Sequence, residues 1–185
     1  MFLVDASGSM GVRRRMVTVK GAILSILKDA YQKRDLVGLM IFSNDAAPLI
    51  LPPTKSVDLA YQKLRTIPTG GRTPLPLALM KASEYLRSPR WRGEAHKALV
   101  IITDGRANEG LNGGDPLAEA LTIARHMSAL PIEFVVVDSE VGYPHVGKAC
   151  RLSEVLGGSY FRLEGLDADQ LASSVDIVVH GAGRA

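Results

Sequence analysis

Three oxygen-bearing side chains stand two residues apart near the start of the chain. Asp5, Ser7 and Ser9 follow the apolar run 2–4. In an extended segment, residues two apart point to the same side, so these side chains can converge on one point. Carboxylate and hydroxyl oxygens without His or Cys suit a hard cation such as Mg2+. The same residues also fit a plain turn in which Asp5 caps the next helix, so further donors are needed to favour a metal site.

Alternating strands and helices must position these residues. The apolar run 36–42 predicts a strand that is buried on both faces, the run 98–102 predicts a second buried strand, and residues 132–138 predict a further strand. Helical spacing of apolar residues predicts helices between them. This alternation predicts an α/β fold with a doubly wound, mostly parallel six-stranded sheet in the order 3-2-1-4-5-6 and helices on both faces. The run 47–51, ended by Pro52 and Pro53, predicts one antiparallel edge strand.

Two more oxygen donors fall where this topology requires them. The sheet order places the first and fourth strands side by side, and Asp104 ends the fourth strand as Asp5 ends the first. The glycine-rich loop at 69–74 contributes Thr73, and its glycines allow a close approach of the backbone. The ion would be Mg2+ (or Mn2+), with some bound water and one position open to an outside carboxylate. The predicted metal ligands are Asp5, Ser7, Ser9, Thr73 and Asp104.

These motifs, in this order, resemble the von Willebrand factor type A (vWA), or integrin I-like, domains. The metal-ion-dependent adhesion site (MIDAS) of that family is Asp-x-Ser-x-Ser, a distant Thr and a distant Asp, which match residues 5–9, Thr73 and Asp104. The resemblance implies a Rossmann-like domain over residues 1–180, a C-terminal tail at 181–185 and binding of a protein partner. Because only three apolar residues precede Asp5, we expect a truncated first strand and an excised domain of a longer chain.

The resemblance narrows to the C-terminal domain of magnesium-chelatase D subunits. It rests on the segments 5–10, 20–22, 30–35, 51–56 and 70–75. It implies a non-catalytic domain of a chelatase complex of tetrapyrrole biosynthesis, docking an acidic loop of a partner such as the AAA+ ATPase subunit. Magnesium and cobalt chelatases both remain open. A vWA interaction module of another ATPase complex is an alternative.

An enzymatic alternative is a metal-assisted phosphohydrolase that uses Asp5. Such an enzyme would need a second acid two residues on, where Ser7 stands. The sequence also lacks a phosphate-binding glycine loop and a Gly-x-Ser-x-Gly elbow. The four histidines are scattered and receive no ligand role. The residues therefore favour a binding module over an enzyme.

Five arginines follow closely on the loops of the predicted site. If the fold is right they rim the site, where they would steer an acidic partner and strengthen its contact with the metal. The alternative is that they are ordinary solvated charges. Trp91, on an exposed loop, is interpreted as a cap on the core rather than an anchor for a partner. The rim arginines are Arg13, Arg14, Arg15, Arg72 and Arg106.

The amino-acid composition bears on the classes of binding partner and on the cellular compartment. The 22 basic and 19 acidic side chains give a net charge of +3, which does not indicate nucleic-acid binding. No apolar run reaches the roughly 18 residues of a membrane span. The single Cys150 cannot form an internal disulfide and fits a reducing setting. We therefore expect a cytoplasmic protein that binds neither nucleic acid nor membrane.

Overall fold

A computed structural model describes residues 1–8, 13–33, 35–67, 70–91, 96–164 and 167–181. One six-stranded sheet has the order β3-β2-β1-β4-β5-β6, which confirms the predicted order. Every neighbouring pair is parallel except the antiparallel pair of β2 and β3. The strands are β1 (Phe2–Asp5), β2 (Val37–Phe42), β3 (Leu49–Thr54), β4 (Ala98–Thr103), β5 (Glu133–Asp138) and β6 (Ser159–Arg162).

Helices connect the strands and cover the sheet. Asp115 begins one of them, because its carboxylate accepts hydrogen bonds from the next free backbone N–H groups. Gly157 ends another in the left-handed conformation, as the Gly157-Gly158 pair predicts. Within the described chain, no helix combines the length and the apolar character that crossing a membrane requires. The helices are α1 (Arg13–Lys33), α2 (Val57–Arg65), α3 (Leu75–Leu86), α4 (Pro116–Met127), α5 (Lys148–Leu156) and α6 (Ala168–Gly181), with a 3-10 turn at Pro89–Trp91.

The core consists of two apolar layers, one on each face of the sheet. Side chains of β1 alternate between them: Val4 packs in the layer that includes α1 and α6. Leu3 packs in the layer that includes α3, α4 and α5. Trp91 belongs to this second layer, is 4% exposed and meets Tyr85 edge to face. The interpretation of Trp91 as a cap on the core is therefore confirmed.

The edge strand β3 differs from its prediction. The sequence predicts a strand at 47–51 that Pro52 and Pro53 end, whereas β3 begins at Leu49 and includes both prolines. Thr54, beyond them, still pairs with Val37 of β2. Proline is tolerated here because β3 has a neighbour on only one side, so the missing N–H groups need no partner on the other.

Candidate metal centre

Asp5 is fully buried at the carboxyl end of β1 and is fixed from two sides. Its Oδ1 accepts a hydrogen bond from the backbone N–H of Ser7 at 2.8 Å. Its Oδ2 accepts one from the hydroxyl of Thr103 at 3.0 Å. Thr103 ends β4, the parallel neighbour of β1. The pairing of β1 with β4 therefore determines the orientation of this carboxylate.

Asp104 is buried at the next position along the chain, where β4 ends. Its Oδ1 accepts a hydrogen bond from the backbone N–H of Arg106 at 3.0 Å. Gly105, between them, has a φ of +72°. Glycine adopts this conformation without steric cost, so the chain can turn sharply at the end of the strand.

The pKa of Asp5 indicates that a positive charge would stabilise the buried carboxylates of Asp5 and Asp104. Burial and, to a smaller extent, the negative charge of Asp104 raise the pKa of Asp5 to about 6, although hydrogen bonds from Ser7 and Thr103 oppose the rise. Two buried carboxylates thus lie close enough to repel each other. A small cation would remove this repulsion, and hard oxygen donors are the ligands that Mg2+ and Mn2+ prefer. The residues present therefore fit such an ion.

Two loops are joined beside Asp5. The backbone N–H of Gly70 donates to the carbonyl of Ala6 at 2.8 Å, and that of Gly8 donates to the carbonyl of Gly71 at 3.0 Å. Gly71 has a φ of +83°, and a Cβ there would lie 1.8 Å from Oδ1 of Asn44. The close approach predicted for the glycine-rich loop is confirmed, and at Gly71 it requires glycine.

Thr73 is buried at the end of this loop and is anchored from the opposite side. Its backbone N–H donates to Oδ1 of Asn108 at 2.6 Å, and the N–H of Asn108 donates back to the carbonyl of Thr73 at 3.2 Å. Asn108 lies four residues beyond Asp104. The loop that contains Thr73 is therefore held between the segments that follow β1 and β4.

Of the five predicted ligands, four are buried at the carboxyl edge of the sheet. Ser9 lies outside the described residues. Across the described ranges, no group of three or more His, Cys, Asp or Glu side chains could hold a metal ion. A metal centre here would instead combine two carboxylates with hydroxyls. The four buried residues are Asp5, Ser7, Thr73 and Asp104.

The structure describes the side chains of two of the predicted rim arginines, Arg72 and Arg106. Arg72 is exposed, and its Nη1 lies 2.6 Å from Oε2 of Glu109. Arg106 is also exposed, and its Nε lies 3.6 Å from Oδ2 of Asp104. The backbone at 13–15 begins α1, and the side chains of those three arginines lie outside the described residues. Both described rim arginines thus contact an acidic residue of this chain.

Sequence reasoning did not assign roles to Thr103, Asn108 or Glu109. Thr103 orients Asp5, Asn108 anchors Thr73, and Glu109 pairs with Arg72. For Thr103 a signal exists: it is the one hydroxyl in an otherwise apolar run, directly before Asp104. Nothing in the sequence distinguishes Asn108 or Glu109 from other polar loop residues.

Thr103→Val should weaken Mg2+ binding without removing a predicted ligand. The substitution keeps the shape of the side chain but removes the hydrogen bond that the Thr103 hydroxyl donates to Asp5. Loss of such a supporting contact typically costs 10–100-fold in metal affinity, and we expect a change of about this size in calorimetric titration with Mg2+. Thr122→Val, whose hydroxyl bonds to an exposed carbonyl on α4, is the control. Equal affinities for the two variants would show that Thr103 does not support the site.

Comparison with protein families identifies this architecture. The family model described as von Willebrand factor type A domain matches residues 1–107. An uncharacterized protein of Mycobacterium tuberculosis is 43% identical over 95% of this chain and 28% of its own length. The magnesium-chelatase 67 kDa subunit of Chlorobaculum tepidum is 40% identical over 94% of this chain and 30% of its own length. The chain therefore spans less than a third of the length of each of these two relatives.

Solved structures share the fold at much lower identity. An aerotolerance-related membrane protein of Bacteroides fragilis superposes with a TM-score of 0.76, at 20% identity over 98% of each chain. The manganese-loaded TRAP protein of Plasmodium vivax superposes with a TM-score of 0.74, at 16% identity over 96% of this chain and 71% of that one. Together with the matched family model, the sheet order and the antiparallel edge strand show that the chain belongs to the von Willebrand factor type A domain family.

Proposed function

We propose that residues 1–180 form a single interaction domain that binds Mg2+ or Mn2+ and docks an acidic side chain of a protein partner. The observation that supports this most is the buried pair Asp5 and Asp104, which lies among buried hydroxyls. The exposed guanidinium of Arg106, 3.6 Å from Asp104, is too distant and solvated to neutralise both charges. A divalent cation would balance the pair.

Each residue would hold the ion in a defined way. Asp5 is fixed by Ser7 and Thr103, so its carboxylate is oriented before any ion arrives. Thr73 and Ser7 would supply hydroxyl oxygens, and Ser9 completes the set that the family motif predicts. Once bound, the cation supplies a positive charge that attracts an outside carboxylate. The manganese in the Plasmodium vivax neighbour supports the choice of ion.

The proposed setting is a chelatase-type complex in the cytoplasm. Relatives that are 40% and 39% identical are named magnesium-chelatase 67 kDa subunits. We propose that this domain plays the non-catalytic part of such a subunit and docks an acidic loop of the ATPase subunit. The metal ion inserted by the complex, magnesium or cobalt, would be its substrate and is separate from the ion in this domain.

A vWA module of a different ATPase complex is the second candidate. It is supported by the match to the von Willebrand factor type A family over residues 1–107, because that family match does not specify a chelatase. The phosphohydrolase alternative has less support. Both oxygens of Asp5 already accept hydrogen bonds, from Ser7 and Thr103, which makes this carboxylate a poor nucleophile.

Affinity capture tests the proposal. The domain, or its full-length chain, is immobilised and offered the chelatase ATPase subunit of the same organism with MgCl2 or EDTA. We expect capture with MgCl2 and none with EDTA or with Asp5→Ala. Asp58→Ala, an exposed acid in the first turn of α2, should capture normally. Capture that survives both EDTA and Asp5→Ala would refute metal-dependent docking. Capture of a different ATPase with the same metal dependence would favour the second candidate.

Charge reversal at Arg72 tests the proposed rim. Arg72 contacts Glu109 rather than a predicted ligand, so Arg72→Glu should leave metal affinity unchanged. Its effect should be a roughly three- to tenfold slower association with the acidic partner at low salt, because steering by charge is lost. The difference should shrink as salt screens the surface charges. Identical association rates at low salt, measured by surface plasmon resonance, would count against steering by Arg72.

A further inference from the structure

The loop between β5 and α5 exposes several large apolar side chains. Val141, Tyr143 and Val146 are 48%, 94% and 60% exposed, and we call residues 141–146 the apolar loop. Apolar residues clustered in this way on a soluble domain commonly mark an interaction site. Tyrosine is also enriched among the residues that dominate binding energy at interfaces. The apolar loop is therefore a candidate contact surface.

The base of the apolar loop is fixed from inside the protein. Glu140 is buried, and its Oε2 accepts hydrogen bonds from the backbone N–H of Val146 at 3.0 Å and of Gly147 at 3.3 Å. These bonds join the two ends of the loop. A loop already held in one conformation loses less entropy on binding, which favours its use as a contact surface.

The residues that flank the apolar loop lie beside the candidate metal centre. Before the loop, the backbone N–H of Ser139 donates to the carbonyl of Thr103 at 3.1 Å, and Thr103 in turn holds Asp5. At its end, the first turn of α5 packs against Gly105, where a Cβ would lie 2.3 Å from the backbone N of Ala149. A ligand on the metal would therefore have the apolar loop at its side.

A second exposed apolar residue lies on the neighbouring loop. Leu111 is 38% exposed, and its backbone N–H donates to Oε2 of Glu119 in α4 at 2.6 Å. The same loop contains Asn108, which anchors Thr73. Because α4 packs against α5, the two apolar segments lie on the same side of the sheet. Apolar surface thus adjoins the site on the side of α4 and α5.

The charge beside the apolar loop favours an acidic ligand. Lys148 begins α5, and its Cβ would lie 2.8 Å from a Cβ built on Gly105. In the part of the chain that the structure describes, its ammonium forms no ion pair. An unpaired lysine at this position, just after the apolar loop and next to Gly105, would attract a negatively charged partner segment.

We infer that the partner's recognised segment contains an apolar side chain directly beside its acidic residue. The carboxylate would bind the metal and the apolar side chain would pack against Val141 and Tyr143. This inference rests on the proposed function and adds a specificity element to it. Acidic segments without the apolar neighbour should bind more weakly, because they bury less apolar surface.

Two synthetic peptides test the inference in NMR titrations of the isotope-labelled domain with MgCl2. One is acetyl-Gly-Gly-Phe-Asp-Gly-Gly-amide, and the other has Ser in place of Phe. We expect the Phe peptide to bind roughly five- to tenfold more tightly and to shift the amide resonances of residues 141–146. Tyr143→Ser should remove this advantage and leave binding of the Ser peptide and of Mg2+ unchanged. Tyr61→Ser, at an exposed tyrosine of α2, should retain it.

The outcomes separate the inference from the proposed function. Equal affinity of the two peptides for the wild-type domain, with binding that needs Mg2+, would overturn the inference and leave metal-dependent docking intact. An advantage of the Phe peptide that persists in Tyr143→Ser would also overturn it. Binding of neither peptide to the wild-type domain with MgCl2, or equal binding with EDTA, would contradict both.

Discussion

Asp5→Asn is expected to lower affinity for Mg2+ by at least ~100-fold, because it removes the charge of a predicted ligand. The same substitution should make the metal-free domain more stable at neutral pH. Asp5 and Asp104 are both buried and repel each other, and the amide has nearly the shape of the carboxylate without its charge. Asparagine can still accept the hydrogen bond from Ser7. A gain in apo stability together with a loss of metal binding is a signature that a structural aspartate would not give.

The dependence on pH follows from the raised pKa. The folded metal-free domain holds a proton on Asp5 up to about pH 6, whereas the unfolded chain releases it near the ordinary value of 3.8. Between these values the folded state binds more protons, so the stability of the wild-type domain should fall as the pH rises. The change is on the order of 3 kcal/mol, and Asp5→Asn should lack it.

Urea denaturation in EDTA and in excess MgCl2 measures both effects. Wild-type protein should gain stability from Mg2+ and the variant should not, since only the folded state binds the ion. Asp58→Asn, on the exposed side of α2, is the control and should behave as the wild type. Equal stabilisation of wild type and Asp5→Asn by Mg2+ would place the ion elsewhere.

Gly105→Ala is expected to destabilise the domain by about 3 kcal/mol, the largest loss among these substitutions. Gly105 has a φ of +72°, which costs an alanine roughly 1–2 kcal/mol. In addition, the new Cβ would lie 2.3 Å from the backbone N of Ala149 and 2.6 Å from the carbonyl carbon of Lys148. Backbone atoms at the start of a helix cannot move aside easily, so a packing cost of about 1–3 kcal/mol adds to the strain.

Gly113→Ala separates the conformational cost of a positive φ from the cost of packing against α5. Gly113 lies in the loop that follows β4, has a φ of +74° and has no atom within 4 Å of a built Cβ. It should therefore lose only the conformational part, about 1 kcal/mol. The difference between the two variants in urea denaturation isolates the contact between Gly105 and α5. Equal losses would mean that this contact is not tight in solution.

The ends of the parallel strands made much of the site predictable. Asp5 and Asp104 follow apolar runs, and the sheet order derived from alternating strands and helices places those runs side by side. The close approach of the glycine-rich loop to the segment after β1 could be predicted, because glycine tolerates a positive φ such as that of Gly71. Periodicity therefore predicts the fold correctly, and the polar residues at the strand ends predict where the candidate site lies.

Contacts between loops could not be predicted from the sequence in this way. The pairs of Thr73 with Asn108 and of Arg72 with Glu109 join residues 35 and 37 positions apart, through loops whose paths no periodicity determines. The exposure of Tyr143 on a surface loop could not be predicted from the sequence either, because an aromatic residue usually indicates burial. Such features depend on the tertiary arrangement of the loops, and these loops surround the candidate site.

Anomalous diffraction from crystals of the domain soaked in MnCl2 would locate the bound ion. We expect one strong manganese peak at the carboxyl edge of β1 and β4, coordinated by oxygens of Ser7, Ser9 and Thr73 with Asp5 and Asp104 directly bound or one water away. The same crystals of Asp5→Asn should lack it. Manganese bound only elsewhere, or an unaltered peak in the variant, would show that Asp5 and Asp104 do not form a metal centre.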